Sequence, residues 1–306
     1  MKEIKITVED IEEPTRIDLY LSRELNDISR SYIQKLIKKG NVKVNNSVID
    51  SKKLKIDEED EIEIIIPEPE KLKLKPQNIP IEILYEDEDV LVVNKPQGMV
   101  VHPAPGHYSG TLVNALLYHC KNLSSINGII RPGIVHRIDK DTSGVLMIAK
   151  NNKSHNFLAD QLRDHTVKRI YMALVHGNIK EESGTVDAPI GRHPVNRLKR
   201  AVIENNSKKA VTHFKVVERY SNYTLVELQL ETGRTHQIRV HMSYIGYPLV
   251  GDPLYGIKRE KFNLNGQALH AKILGFVHPS TFKFMEFDTP LPEYFQGLLR
   301  KIQSNS

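Results

Sequence analysis

Residues 136–144, His-Arg-Ile-Asp-Lys-Asp-Thr-Ser-Gly, set one carboxylate, Asp139, among cations and hydroxyls in a turn closed by glycine. The apolar run Val145-Leu146-Met147-Ile148-Ala149 follows at once. A turn feeding a buried strand is how a rigid scaffold presents a single reactive group. A reacting carboxylate must stay ionised, and an adjacent arginine is the usual means. Arg137 lies two residues away, on the same face of an extended segment, so the pair reads equally as a catalytic Asp with its cation or as a structural ion pair. A likeness to the aspartyl-phosphate loop of ion pumps fails on the order of the residues after Lys140.

Four other stretches carry candidate chemistry. Lys95, in Asn94-Lys95-Pro96-Gln97-Gly98, is expected at a strand end facing a loop, because Pro96 cannot join a ladder and Gly98 permits a turn; alone it reads as a solvated lysine. Tyr171 alternates with apolar neighbours in Val167–Val175, a pattern of core aromatics as much as of catalysts. Residues 191–200 carry Arg192, Arg197, Lys199 and Arg200 and no acid, which suits either phosphate contact or an exposed mobile loop. In Glu231-Thr-Gly-Arg-Thr-His-Gln-Ile-Arg-Val-His241, Gly233 makes a turn and Arg234 stands where a helix begins. His236 and His241 match no standard zinc spacing, and no cysteine or acidic cluster completes them, so no metal is expected.

The elements that must hold these residues are legible from periodicity. Strands are predicted at Ile81–Tyr85, Val90–Val93, Val145–Ala149, Val167–Val175, Val211–Val217 and Thr224–Leu230. A helix runs from an Asn151 or Asn152 cap to about His165 with Leu158 and Leu162 inward, and another covers Thr111–Tyr118. Towards the end of the chain, Leu269-His270-Ala271 and His278-Pro279 repeat the combination of apolar strand and polar tip.

The first 75 residues read as a separate module. Ile17, Leu21 and Leu25 form one helix face, with Arg16, Asp18 and Arg23 on others. A second helix, capped by Ser29 and ended by Gly40, turns Ile33, Leu36 and Ile37 inward and Arg30, Lys35, Lys38 and Lys39 outward. A hairpin around Asn45-Asn46 and a strand at Ile62–Ile66 follow. Pro67, Pro69, Pro76 and Pro80, mixed with charges, make an extended connector. This gives domains 1–75 and 76–306, with the boundary near residue 76.

The chain has 306 residues and a net charge of +5, but residues 1–75 hold 15 Lys/Arg against 17 Asp/Glu. The excess therefore belongs to the larger part, which suits an anionic partner without identifying one. A single cysteine, Cys120, rules out an intramolecular disulfide and multi-cysteine metal sites. With no signal-like segment and no apolar run long enough to span a membrane, a soluble, cytoplasmic protein is expected. It is expected to be a monomer.

Arg16-Ile-Asp-Leu-Tyr-Leu, Ser29 to Ile37 and Gly40 to Asn45 resemble the S4 RNA-binding domain. That resemblance implies RNA held through its phosphates by Arg30, Lys35, Lys38 and Lys39. The motifs at 94–99, 136–144, 168–175, 232–241 and 270–279 together resemble the RluA-type pseudouridine synthases, in an order most similar to the RluD-like large-subunit rRNA branch. Only Ile138 departs from the commonest form, which has Leu there, a volume-conserving change.

The resemblance implies an α+β fold, with a catalytic domain on a large mixed, mostly antiparallel sheet and a small N-terminal S4-like domain. It implies an RNA isomerase that turns uridine into pseudouridine without a cofactor. Asp139 would be the catalytic carboxylate, either adding to sugar or base or removing a sugar proton. Arg234 would pair with Asp139, Tyr171 would stack on the base and help remove the C5 proton, and Arg137 would fill the place of the extruded uridine. Ile238 would pack the pocket wall, and Lys95 would act electrostatically near the site. Large-subunit rRNA or a ribosome precursor is the expected partner; the same chemistry on tRNA and a non-catalytic ribosome-assembly role are the alternatives.

Overall fold

The computed structural model describes residues 2–25, 28, 30–66, 74–103, 108–120, 122–124 and 132–304. The proposed Ser29 cap and the connector prolines Pro67 and Pro69 lie outside these. The chain divides into two compact units, Met1–Lys71 and Leu72–Ser306.

The first unit comprises β1 (Lys2–Thr7), β2 (Thr15–Arg16), α1 (Ile17–Glu24), α2 (Arg30–Lys38), β3 (Val42–Val44), β4 (Ser47–Val48), β5 (Lys55–Ile56) and β6 (Glu61–Ile66). Its main sheet runs β1-β6-β3-β4, and β2 pairs with β5. Ile17 and Leu21 of α1, Ile33, Leu36 and Ile37 of α2, and Ile62 and Ile64 of β6 close one core. Asn45 and Asn46, both at positive φ, make the tight β3–β4 turn, a backbone conformation Asn tolerates well. Gly40 (φ 72) ends α2, with Asn41 N–H bonded to the Leu36 carbonyl.

Asp18, expected on an outward face, is fully buried. Arg30 reaches it at 2.9 Å, Arg16 at 3.1 Å and Gln34 at 2.6 Å. Burial alone would raise its pKa, but the hydrogen bonds from Gln34, Arg30 and Arg16 outweigh it and hold the carboxyl below the usual range. The guanidinium of Arg30 is thus engaged within the fold. Lys35, Lys38 and Lys39 are exposed and leave the outward face of α2 cationic.

The second unit comprises β7 (Glu82–Glu86), β8 (Val90–Lys95), α3 (Leu112–His119), β9 (Ser143–Ala149), α4 (Asn152–Arg163), β10 (Lys168–His176), β11 (Ser183–Asp187), β12 (Ile190–Arg192), β13 (Arg200–Val202), β14 (Ser207–Lys208), β15 (Val211–Arg219), β16 (Tyr223–Leu230), α5 (Gln237–Tyr244), β17 (Leu269–Val277), β18 (Phe284–Asp288) and α6 (Glu293–Gln303). A nine-stranded sheet runs β11-β15-β16-β10-β17-β9-β8-β7, with β18 added to β17. Every pairing in it is antiparallel except β17 with β9. This is the large mixed, mostly antiparallel sheet that the sequence implies.

All seven residues of β9 are buried, because both faces of the sheet are covered there. Leu146 and Ile148 join the core that contains α3, while Val145, Met147 and Ala149 pack with Leu158 of α4. Full burial of a side chain such as Leu146 stabilises by about 2 kcal/mol. At the start of β9, Gly144 (φ 121) lies so close to β17 that an added Cβ would fall 2.1 Å from the Ala271 carbonyl oxygen. Only glycine admits this parallel approach. Asn151 caps α4 by accepting the Ser154 N–H, and Thr111 and Asn114 form a reciprocal cap on α3.

Candidate active site

Asp139 stands in the segment that leads into β9, and that segment is fixed from several sides. The Asp139 carbonyl accepts the Thr142 N–H, and Thr142 Oγ1 accepts from the buried Gln267. Ser143 Oγ bonds His270 Nδ1 at 2.8 Å, tying the start of β9 to β17. His136 Nε2 accepts the Met147 N–H; burial and the nearby Arg169 push its pKa down to about 3, so it serves as a neutral acceptor.

Lys95 is fully buried, which corrects the solvated reading. Its Nζ donates to the carbonyls of Pro96, Met99 and Lys140 at 2.8, 2.8 and 2.9 Å. The ammonium therefore clamps the 96–99 loop to the residue that follows Asp139. Burial lowers its pKa to about 7, against the pull of Asp141 and Asp139.

The carboxylate of Asp139 pairs with Arg239. Nη1 of Arg239 lies 2.9 Å from Oδ2, while Nε and Nη2 grip Asp252 at 2.6 and 2.8 Å. Burial alone would lower the Arg239 pKa, but Asp252 and Asp139 more than reverse this, so the cation is permanent. The expected partner, Arg234, is elsewhere: its Nε donates to the Lys209 carbonyl at 2.9 Å. The cause is local. Residues 232–236 form a turn, α5 begins only at Gln237, and the first helical turn directs Arg239 inward. Gln237 fixes this turn by accepting from Thr232 Oγ1 and Arg234 N–H while donating to Val211 and Thr212.

A cavity of about 520 Å³ opens above the pair, and Arg137, Asp139, Tyr171, Arg234, Ile238 and Arg239 all line it. Ile238 forms part of the wall as expected. Tyr171 is nearly buried, and its hydroxyl has no hydrogen-bond partner among the described residues; burial and the charge of Asp139 raise its pKa against the opposing pull of Arg169. Arg137 is exposed at the rim and makes no ion pair with Asp139 among the described residues. Arg169, nearly buried and bonded to the Glu231 carbonyl at 3.0 Å, also faces the cavity.

A second cavity of about 990 Å³ adjoins the first across the turn at Gly233, Arg234 and Thr235. Arg192, Arg197, Arg200, Lys208 and Arg234 line it, and no acid does. Lys199 instead places its ammonium 5.7 Å from the centre of the Tyr255 ring.

Sequence reasoning missed Arg239 and its partners. The available signal was an arginine inside the otherwise inward-facing run Gln237-Ile238-Arg239-Val240, since a buried guanidinium needs acceptors within the fold, carboxylates above all. His241 is a satisfied core histidine, bonded to Thr212 Oγ1 and the Ala188 carbonyl. Among the described residues no group of three or more His, Cys, Asp or Glu is arranged to hold a metal ion, and no helix is long and apolar enough to cross a membrane.

Residues 89–244 match the RNA pseudouridylate synthase family, and residues 15–62 match the S4 domain. A Bacillus subtilis (strain 168) protein described as uncharacterized RNA pseudouridine synthase YlyB is 53% identical over 305 residues, 100% of both chains. The ribosomal large subunit pseudouridine synthase D of Zymomonas mobilis is 52% identical over 237 residues, 74% of each chain. Among solved structures, human RNA pseudouridylate synthase domain containing 1 superposes with a TM-score of 0.57 at 26% identity, covering 78% of this chain and 98% of that one.

Proposed function

Because this chain belongs to the RNA pseudouridylate synthase family, we propose that it isomerises specific uridines in large-subunit ribosomal RNA, with Asp139 as the reacting carboxylate and no cofactor. The observation that carries this reading is the Asp139–Arg239 pair, seated in a cavity beside a tyrosine whose hydroxyl has no hydrogen-bond partner among the described residues. The reaction breaks the C1′–N1 bond of uridine and forms C1′–C5, while the base loses its proton at C5 and gains one at N1. Nothing is oxidised and no group leaves, so the chemistry calls for a positioned carboxylate and a proton acceptor.

The chain's residues divide this work. Arg239 orients Asp139 and pairs with its charge, and its second grip on Asp252 prevents it from turning towards the RNA phosphates. Tyr171 lies against the base and helps take the C5 proton. Arg137 occupies the space left by the extruded uridine, a role that suits an exposed guanidinium at the cavity rim. Arg234, Arg192, Arg197 and Arg200 meet phosphates along the second cavity, with Lys199 beside them, and Lys35, Lys38 and Lys39 do so in the S4 domain. Lys95 acts from beneath, holding the Asp139 segment rather than touching RNA.

Large-subunit rRNA as substrate rests on the names of relatives such as the Zymomonas protein, and would place the work in the cytoplasm during ribosome assembly. Mapping pseudouridines in total RNA from cells with and without the protein tests it. Sites lost from large-subunit rRNA alone would support the proposal; losses confined to tRNA would move the substrate and leave the chemistry standing.

A further inference from the structure

His236 is the residue of this site whose conformation is least ordinary. It stands before α5 in the left-handed region, at φ 59 and ψ 21. A side chain held there is uncommon outside glycine, and such residues concentrate where the fold has a use for them. The turn that imposes it is the one fixed by the buried Gln237.

The hydrogen bonds around His236 suit the tautomer protonated at Nε2. The Arg200 N–H donates to Tyr255 Oη at 2.7 Å. Tyr255 then has one hydroxyl proton to give, and His236 Nδ1 lies 2.9 Å away to accept it. In that tautomer the ring proton sits on Nε2, which faces Asp139 Oδ1 at 3.9 Å. That oxygen has no hydrogen-bond partner among the described residues, since Arg239 uses Oδ2. Tyr255 is held in turn by its neighbours, with Arg239 5.1 Å and Lys199 5.7 Å from its ring centre.

We propose that His236 is a positioning residue: its Nε2–H, oriented by Tyr255, closes on the second oxygen of Asp139 when RNA is bound, and so links the basic 192–200 loop to the reacting carboxylate. Arg200 is the hinge of that link, because its side chain lines the phosphate-binding cavity while its N–H anchors Tyr255. RNA seated on the loop thereby fixes the direction in which Asp139 presents its free oxygen. Burial lowers the pKa of the imidazole, with Asp139 and Asp252 pulling upward against Arg239 and Arg137 around it. This inference rests on Asp139 being the reacting carboxylate.

The test is single-turnover tritium release from 5-tritiated uridine rRNA isolated from cells lacking the protein, measured from pH 5 to 8 beside filter-binding affinity, using the full chain. Tyr255→Phe keeps the ring on Arg239 and removes the hydroxyl proton. It is expected to slow release about tenfold with unchanged affinity, and to move the acid limb to higher pH because Nδ1 becomes free to bind a proton. His236→Ala is expected to lose more, and His236→Gln, whose amide can replace Nε2–H, to recover part of the loss that His236→Asn does not. Wild-type rates and pH profiles in Tyr255→Phe and His236→Ala would overturn the inference alone, as would losses confined to affinity. A wild-type protein that releases no tritium would overturn the proposed function and this inference with it.

Discussion

Arg239 Nη1 and Asp139 Oδ2 meet at 2.9 Å across 100 residues of sequence. Asp252 holds the same guanidinium from the other side, so the cation beside Asp139 is fixed before RNA arrives. Preorganisation of this kind lets a buried arginine contribute to rate, because it need not reorient during the reaction.

Asp139→Asn should abolish tritium release while leaving RNA affinity within about twofold, since the amide preserves shape and removes the anion. Undiminished turnover by this variant would remove Asp139 from the chemistry.

Arg239 and Arg234 should separate cleanly. Arg239→Gln leaves Asp252 buried without its partner and should cost about 3 kcal/mol or more of stability as well as turnover. Arg234→Gln should leave the melting temperature nearly unchanged, weaken RNA binding and flatten its salt dependence by about one unit of slope. Thermal unfolding and filter binding across a salt series measure both, and the reverse pattern would restore Arg234 as the partner of Asp139.

Tyr171→Phe removes a hydroxyl that bonds nothing among the described residues, so stability should hold or rise slightly. Turnover should fall about a hundredfold or more if the hydroxyl serves as the proton acceptor. A wild-type rate in single-turnover release would restrict Tyr171 to stacking.

His270 gives a stability signature. Burial and Lys272 push its pKa down to about 4, while Ser143 and Thr289 engage its nitrogens. A histidine whose folded pKa lies below its unfolded value contributes in full above pH 6.5, and its contribution is lost as pH falls through the interval down to the folded pKa. By pH 5 this loss should reach about 2 kcal/mol. Denaturant unfolding of His270→Gln at pH 7 and pH 5 should show a smaller difference between the two pH values than wild type does; an equal difference would contradict the assignment.

The strands and helices were readable wherever one face of an element is buried. Val145–Ala149 and the α4 face of Leu158 stood out because the period of apolar residues is set by the neighbours they pack against. The Asn45-Asn46 turn was readable because few residues accept that backbone. Residues whose state depends on partners distant in sequence were not. Lys95 looked solvated because no local feature announces three carbonyls, one of them 45 residues away. Asp18 looked exposed because Arg30 and Gln34 belong to the next helix. The choice of Arg234 over Arg239 failed for the same reason, since Asp252 had not drawn notice as a second carboxylate.

The parallel pairing of β9 with β17 has a consequence for biosynthesis. When Asp139 and its strand leave the ribosome, the edge that β17 will cover is bare, because more than a hundred residues separate the two strands. Strand pairs separated by so much chain form late and slowly. Arg239, Asp252 and His270 also arrive in that interval. A nascent chain therefore carries Asp139 for seconds without the Arg239 cation, the neighbouring strand or the closed pocket, and the site is assembled only after β17 has been made.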